Sequence, residues 1–87
     1  MHEASLIRSL MRKIDTLVEA ENARKVTTVS VWLGALAHMS AEHFEEHFAE
    51  ASKGTRAEGA ALEIEVSADM GDPNAQDLML RSIEVET

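Results

Sequence analysis

The chain opens Met1-His2-Glu3, and a histidine at position 2 is a chelating position. The free α-amine, the His2 amide nitrogen and the His2 imidazole can close adjoining chelate rings around one metal ion. Such nitrogen donors suit square-planar Ni(II) or Cu(II) rather than Mg or Ca, which prefer oxygen. A bulky second residue normally protects the initiator from removal, so Met1 and its amine are expected to remain. Taken alone the motif is short enough to recur by chance. A second set lies further along: His43-Phe44-Glu45-Glu46-His47 formally matches H-x-x-E-H, the inverted zinc-protease signature. A protease also needs a third ligand, an open metal position and a substrate cleft, and 87 residues leave little protein to build them. His43 and His47, one helical turn apart, read either as a weak metal pair or as two solvated histidines on an acidic flank.

Composition narrows the choices. Eighty-seven residues make one small domain, near the lower limit for folding without staples. The absence of cysteine excludes disulfides, thiolate zinc and thiol catalysis, and nothing points to an oxidising compartment. The front of the chain has no basic region followed by an apolar run, and no stretch approaches a membrane span, so a cytoplasmic protein is expected. A formal charge of −8, from 8 Lys and Arg against 16 Asp and Glu, argues against nucleic acid and against an anionic membrane surface.

Periodicity supplies the elements that position the candidate donors. Leu6, Ile7, Leu10, Met11, Ile14, Leu17 and Val18 recur at three- and four-residue spacing, which predicts a helix over 4–23 with one apolar stripe. A cation at its positive end would be opposed by the helix dipole; deprotonated amides and the Glu3 carboxylate could offset that. Residues 26–36 form a β-rich run, with Val29, Val31 and Leu33 on one face and Thr28, Ser30 and Trp32 on the other. Trp32 is then covered by a neighbouring element or open to a partner. Gly34 suggests a bulge or a close backbone approach. Ser40 can cap a second helix with Glu42 in its first turn. Ala41, Phe44, Phe48 and Ala51 form its apolar stripe, and Gly54 ends it. A second strand carries Leu62, Ile64 and Val66 inward and Glu63, Glu65 and Ser67 outward. Residues 69–77 are loop, and a last strand over 79–86 places Ile83 and Val85 inward. The expectation is an α+β fold, order α-β-α-β-β, with two helices on one face of a three-stranded mixed or antiparallel sheet.

Met1-His2-Glu3-Ala4-Ser5-Leu6 opening an amphipathic helix resembles the start of the HypA/HybF family of hydrogenase nickel-insertion proteins. Further stretches fit in the same order: Val26-Thr27, Gly34-Ala35-Leu36, Phe44 with Phe48, Gly54-Thr55, Ala57-Glu58-Gly59-Ala60 and Leu62-Glu63-Ile64. Ser82-Ile83-Glu84-Val85-Glu86 also looks like the family's final strand. The resemblance implies a nickel metallochaperone rather than an enzyme. It implies Ni(II) held by the Met1 amine, the His2 amide and imidazole, and Glu3 through its amide or carboxylate. The implied partners are a hydrogenase maturation GTPase and the hydrogenase large subunit, with urease as a further recipient. A monomer or weak homodimer is expected.

One departure is large. Between the second and last strands the family normally inserts a zinc ribbon with paired Cys-x-x-Cys motifs, whereas Asp69 to Asp77 bridge that gap here. The chain looks like a family member reduced to its nickel domain, spanning 1–87, with no structural zinc expected. Two other readings stay open. One is a metal-independent docking module using the acidic outer sheet face or Trp32. The other is a small metalloprotease carried by His43, Glu46 and His47.

Overall fold

The computed structural model describes residues 2–87, with side chains from Ala4 onward. Five elements follow in the order α1 (His2–Ala20), β1 (Lys25–Leu33), α2 (Ala41–Ala51), β2 (Ala61–Val66) and β3 (Leu78–Glu86). The sheet order is β2-β1-β3, with β1 parallel to β2 and antiparallel to β3. The fold is therefore α+β with a mixed three-stranded sheet. A parallel pair cannot be closed by a hairpin, and residues 34–60, with α2 among them, form the crossover.

Helix α1 buries Ile7, Leu10, Ile14 and Val18. Leu17, part of the expected stripe, lies at its margin and stays 40% exposed. The helix stops at Ala20, three residues short of the expected end, although no Gly or Pro stands there. Asn22 takes a left-handed φ of 53° in glycine's place. The Asn22 amide donates to the Glu19 carbonyl and the Ala23 amide to the Val18 carbonyl, both at 3.1 Å. That is the Schellman arrangement, and buried Ala23 and Val18 supply its apolar contact. The chain then reverses directly into β1.

In β1, Val29, Val31 and Leu33 are buried as expected, but so is Val26, which strict alternation assigns to the opposite face. A register shift between Val26 and Thr28 against β3 makes the difference. The extra residue of a bulge flips the facing of what precedes it. β3 has a matching irregularity opposite Ser30 and Val31, which turns Leu80 and Ile83 to the same side. On β2, Leu62 and Ile64 are half-buried as expected, whereas Val66 at the strand's end is 53% exposed.

β1 ends at Leu33, short of 36, because the loop before β3 closes over its end. The Gly34 amide donates to the Asp77 carbonyl at 2.9 Å and the Leu36 amide to the Ala75 carbonyl at 2.7 Å. A Cβ at Gly34 would stand 2.2 Å from the Ala75 carbonyl oxygen and 2.7 Å from that of Asn74, so this is a close backbone approach. Gly34→Ala should cost about 2–3 kcal/mol, the upper range for overpacking, because the opposing atoms are backbone. Urea denaturation checks it; an unchanged midpoint would mean that the loop is not docked here.

Helix α2 is fastened by Phe44 and Phe48, with ring centroids 5.9 Å apart. The next buried position on that stripe is Ser52, not Ala51, which is exposed. The Ser52 hydroxyl donates to the Ala49 carbonyl at 3.4 Å. Gly54, two residues past this C-cap, has φ 79°. Surface ion pairs tie the periphery, among them Arg24–Glu86 at 3.2 Å and Arg56–Glu19 at 2.9 Å. Both are well exposed, which limits each to about 1 kcal/mol or less. No helix among the described residues is long and apolar enough to cross a membrane.

Candidate functional site

Met1 and the side chains of His2 and Glu3 lie outside the described residues. The backbone that presents the last two is in view. α1 begins at His2, so the His2 and Glu3 amides belong to the first turn, whose N–H groups have no intrahelical acceptor. An amide there can be deprotonated for a metal without breaking the helical ladder. Ile7 and Leu10, buried to within 5% and 2%, anchor the following turns in the core. The helix start is thus continuous with turns that are packed on the core.

The topology places both helix starts at one end of the sheet. α1 reverses into β1 and so runs opposite to it. Leu6, Leu10 and Lys13 border the same groove as Leu78, Met79 and Leu80, where β3 pairs with the end of β1. α2 begins after the end of β1, and its exit returns to the strand's start, where the Val26 amide donates to the Arg56 carbonyl at 2.9 Å. Both helices therefore start at the end where β1 finishes.

On α2, Ser40 caps the helix as expected: its hydroxyl oxygen accepts from the His43 amide at 3.0 Å. Ser40→Ala should cost about 1 kcal/mol and fray this turn, a loss that amide exchange at Glu42 and His43 would report. His43 and His47 come together as their spacing predicts. Their Nε2 atoms are 3.2 Å apart, with ring centroids 4.6 Å apart and planes tilted by 48°. His38 does not join them; it is exposed in the connection before α2 with φ 59°.

Among the described residues no three His, Cys, Asp or Glu gather as a metal-binding group. Glu46 thus does not complete a protease-like centre with the two histidines. A surface depression of about 460 Å³ between α1 and β3 is lined by Ser9, Arg12, Lys13, Thr16, Leu17 and Leu80. It carries two basic groups and no histidine or carboxylate, the wrong lining for a metal-dependent hydrolase.

The outer sheet face is polar and internally paired. The Ser30 hydroxyl donates to Glu63 at 2.7 Å and the Arg81 guanidinium to Glu65 at 2.6 Å. Trp32 lies on this face between its register partners Met79 and Glu65. It is half-buried, at the rim of the sheet, while Met79 is 42% exposed.

The described residues thus form a small α+β unit with both helix starts at one end of the sheet. Comparisons with known proteins give the family. The family described as "Hydrogenase/urease nickel incorporation, metallochaperone, hypA" matches residues 1–71, and the chain belongs to this family, one of metallochaperones and not of enzymes. The hydrogenase maturation factor HypA of Archaeoglobus fulgidus is 42% identical over 66 residues, which are 76% of this chain and 60% of that protein. HypA of Chlorobium limicola is 37% identical over 65 residues, 75% of this chain and 56% of that one. The chain thus spans little more than half the length of these relatives. The solution structure of the Ni metallochaperone HypA from Helicobacter pylori superposes with a TM-score of 0.77, over 99% of this chain and 98% of that one. At 18% identity this establishes the shared fold. The family match ends at residue 71, in the connection between β2 and β3.

Proposed function

We propose that the chain is a nickel metallochaperone of the cytoplasm whose primary site is Met1-His2-Glu3. The α-amine, the His2 amide and imidazole, and Glu3 through its amide or carboxylate hold Ni(II) as cargo. The observation that carries this reading is a family match running from residue 1 onto a helix that begins at His2. Nitrogen donors that include an ionised amide favour planar Ni(II), and the negative charge of that amide and of Glu3, through its amide or carboxylate, offsets the helix dipole that would otherwise repel a cation. A terminal segment can also peel away from its ion one donor at a time, which a carrier requires.

The partners proposed are a hydrogenase maturation GTPase and the hydrogenase large subunit, with a urease route as the family description allows. Residues 1–87 act as one nickel-binding domain in which the 69–77 loop stands where a ribbon would otherwise insert. No cysteine of this chain is available to hold zinc, so no structural zinc takes part. Copper would compete at the same donors, since Cu(II) outranks Ni(II) at nearly any nitrogen site, and metal supply then sets the cargo.

Calorimetric titration of protein with a native N-terminus tests the site. One tightly bound Ni(II) per chain is expected, weakened by more than about 100-fold in His2→Ala, beyond the usual cost of losing an outer-shell partner. Equal affinity in the two proteins would overturn the assignment.

A further inference from the structure

Helix α1 and strand β3 leave a groove between them along an open edge of the sheet. The order β2-β1-β3 puts β3 at the margin, and no strand among the described residues pairs with its other side. The depression that Arg12, Lys13, Leu17 and Leu80 border shares Ser9, Lys13 and Leu80 with a second one of about 350 Å³. Together the two follow β3 from Leu78 to Leu80. Leu80 is half-buried at the floor, and Leu17, 40% exposed, forms an apolar wall. The helix side of the groove is cationic, although the chain carries a formal charge of −8. Arg24, Lys53, Arg56 and Arg81 are tied to Glu86, Glu50, Glu19 and Glu65. Arg12 and Lys13, both exposed, enter no ion pair among the described residues, nor does Arg8 one turn earlier. No carboxylate lines the larger depression, and Asp77 borders only the smaller one.

We propose that this groove docks an extended acidic segment of a partner protein, added to the sheet as a fourth strand beside β3. An apolar side chain of the segment sits against Leu17 and Leu80, and its carboxylates meet Arg12 and Lys13. An edge strand presents unpaired N–H and C=O groups to which an extended chain can add. The main chain then supplies affinity and alternate side chains supply selectivity. In a strand, residues i and i+2 share one face about 6.6 Å apart, so one such position reaches the leucines and the next a helix cation. Glu84 and Glu86, exposed on the later half of β3, repel an acidic segment and confine it to the half beside Arg12 and Lys13. A nucleic acid or an anionic membrane would face the whole molecule, whose charge of −8 opposes both. A short peptide meets only the groove.

Titration of the isotope-labelled full chain with the peptide acetyl-Thr-Glu-Thr-Leu-Thr-Glu-Thr-Leu-amide, followed by amide NMR, tests the groove. Saturable shifts are expected on the first half of β3 and on α1 from Ser9 to Leu17, with slower amide exchange along β3. Replacing both glutamates of the peptide by glutamine, or combining Arg12→Glu with Lys13→Glu in the protein, should each weaken binding more than about tenfold. Both protein substitutions are on an exposed helix face, and unchanged circular dichroism would show that the fold persists. Methylating alternate backbone amides of the peptide should abolish binding in one phase and spare it in the other, as strand addition requires. No saturable shift, shifts centred away from β3, or equal binding of the glutamine peptide would overturn the proposal. So would octathymidylate or phosphatidylserine vesicles that perturb the same residues with the same dependence on Arg12 and Lys13, since the groove would then be a general anion surface.

Discussion

Phe44→Ala should lower stability by about 3–5 kcal/mol, the cost of a buried phenylalanine plus the cavity left behind. The ring is fully buried and packs against Phe48 at the junction of α2 with the core. A domain of this size holds about 5–15 kcal/mol in total, and each kcal/mol is worth about 4–8 °C in Tm for a chain this short. A fall in Tm of about 12–40 °C is therefore expected from thermal circular dichroism. Leu17→Ala is the matching control. Leu17 belongs to the same kind of apolar stripe but is 40% exposed, and its truncation should cost no more than about 1 kcal/mol. Equal losses in the two variants would mean that α2 is not packed as described.

The second large effect is chemical. Acetylation of the Met1 amine leaves every side chain in place and removes one donor, and it should weaken Ni(II) binding by more than about 100-fold, as His2→Ala does. The reason is chelation: the amine and the His2 amide share a ring, and without the amine the amide gives up its proton far less readily. Glu3→Gln should have a smaller effect if Glu3 contributes its amide, because that donor survives the change. Calorimetry on the three proteins separates these roles. Glu3→Gln as damaging as acetylation would assign the donor to its carboxylate instead.

Much of the fold was legible in the sequence because burial in a small domain is periodic. Ile7, Leu10, Ile14 and Val18 repeat at helical spacing, and Val29, Val31 and Leu33 alternate as a strand should. Ser40, Phe44 and Phe48 marked the second helix in the same way. What escaped the pattern has identifiable causes. Val26 is buried because a bulge adds one residue to β1, and alternation cannot count a bulge. α1 stops at Ala20 because Asn22 accepts a left-handed backbone, a stop that no glycine or proline signals. Ser52 displaces Ala51 from the apolar face because the stripe of α2 drifts in steps of four, and a hydroxyl that returns to the helix carbonyl can be buried there. Gly34 was legible as a close approach, but not its partner, the Ala75 carbonyl.

The site was legible to a different extent. The spacing of His43 and His47 predicted a shared flank, and the structure brings their Nε2 atoms within 3.2 Å. His38 could not be placed from sequence, since its position depends on one left-handed residue in a connection. The donors at Met1, His2 and Glu3 were suggested by residue type and by the family resemblance, not by any pattern of burial. The family match supports the nickel reading.

The most direct test is the coordination geometry of the first Ni(II) equivalent bound by tag-free protein with an unblocked Met1 amine. Visible absorbance and X-ray absorption report it together. The account predicts a four-coordinate planar ion, diamagnetic, with a ligand-field band that disappears on N-acetylation and in His2→Ala. A six-coordinate paramagnetic ion as the first bound species, unchanged by acetylation, would contradict it and leave Met1-His2-Glu3 without a metal.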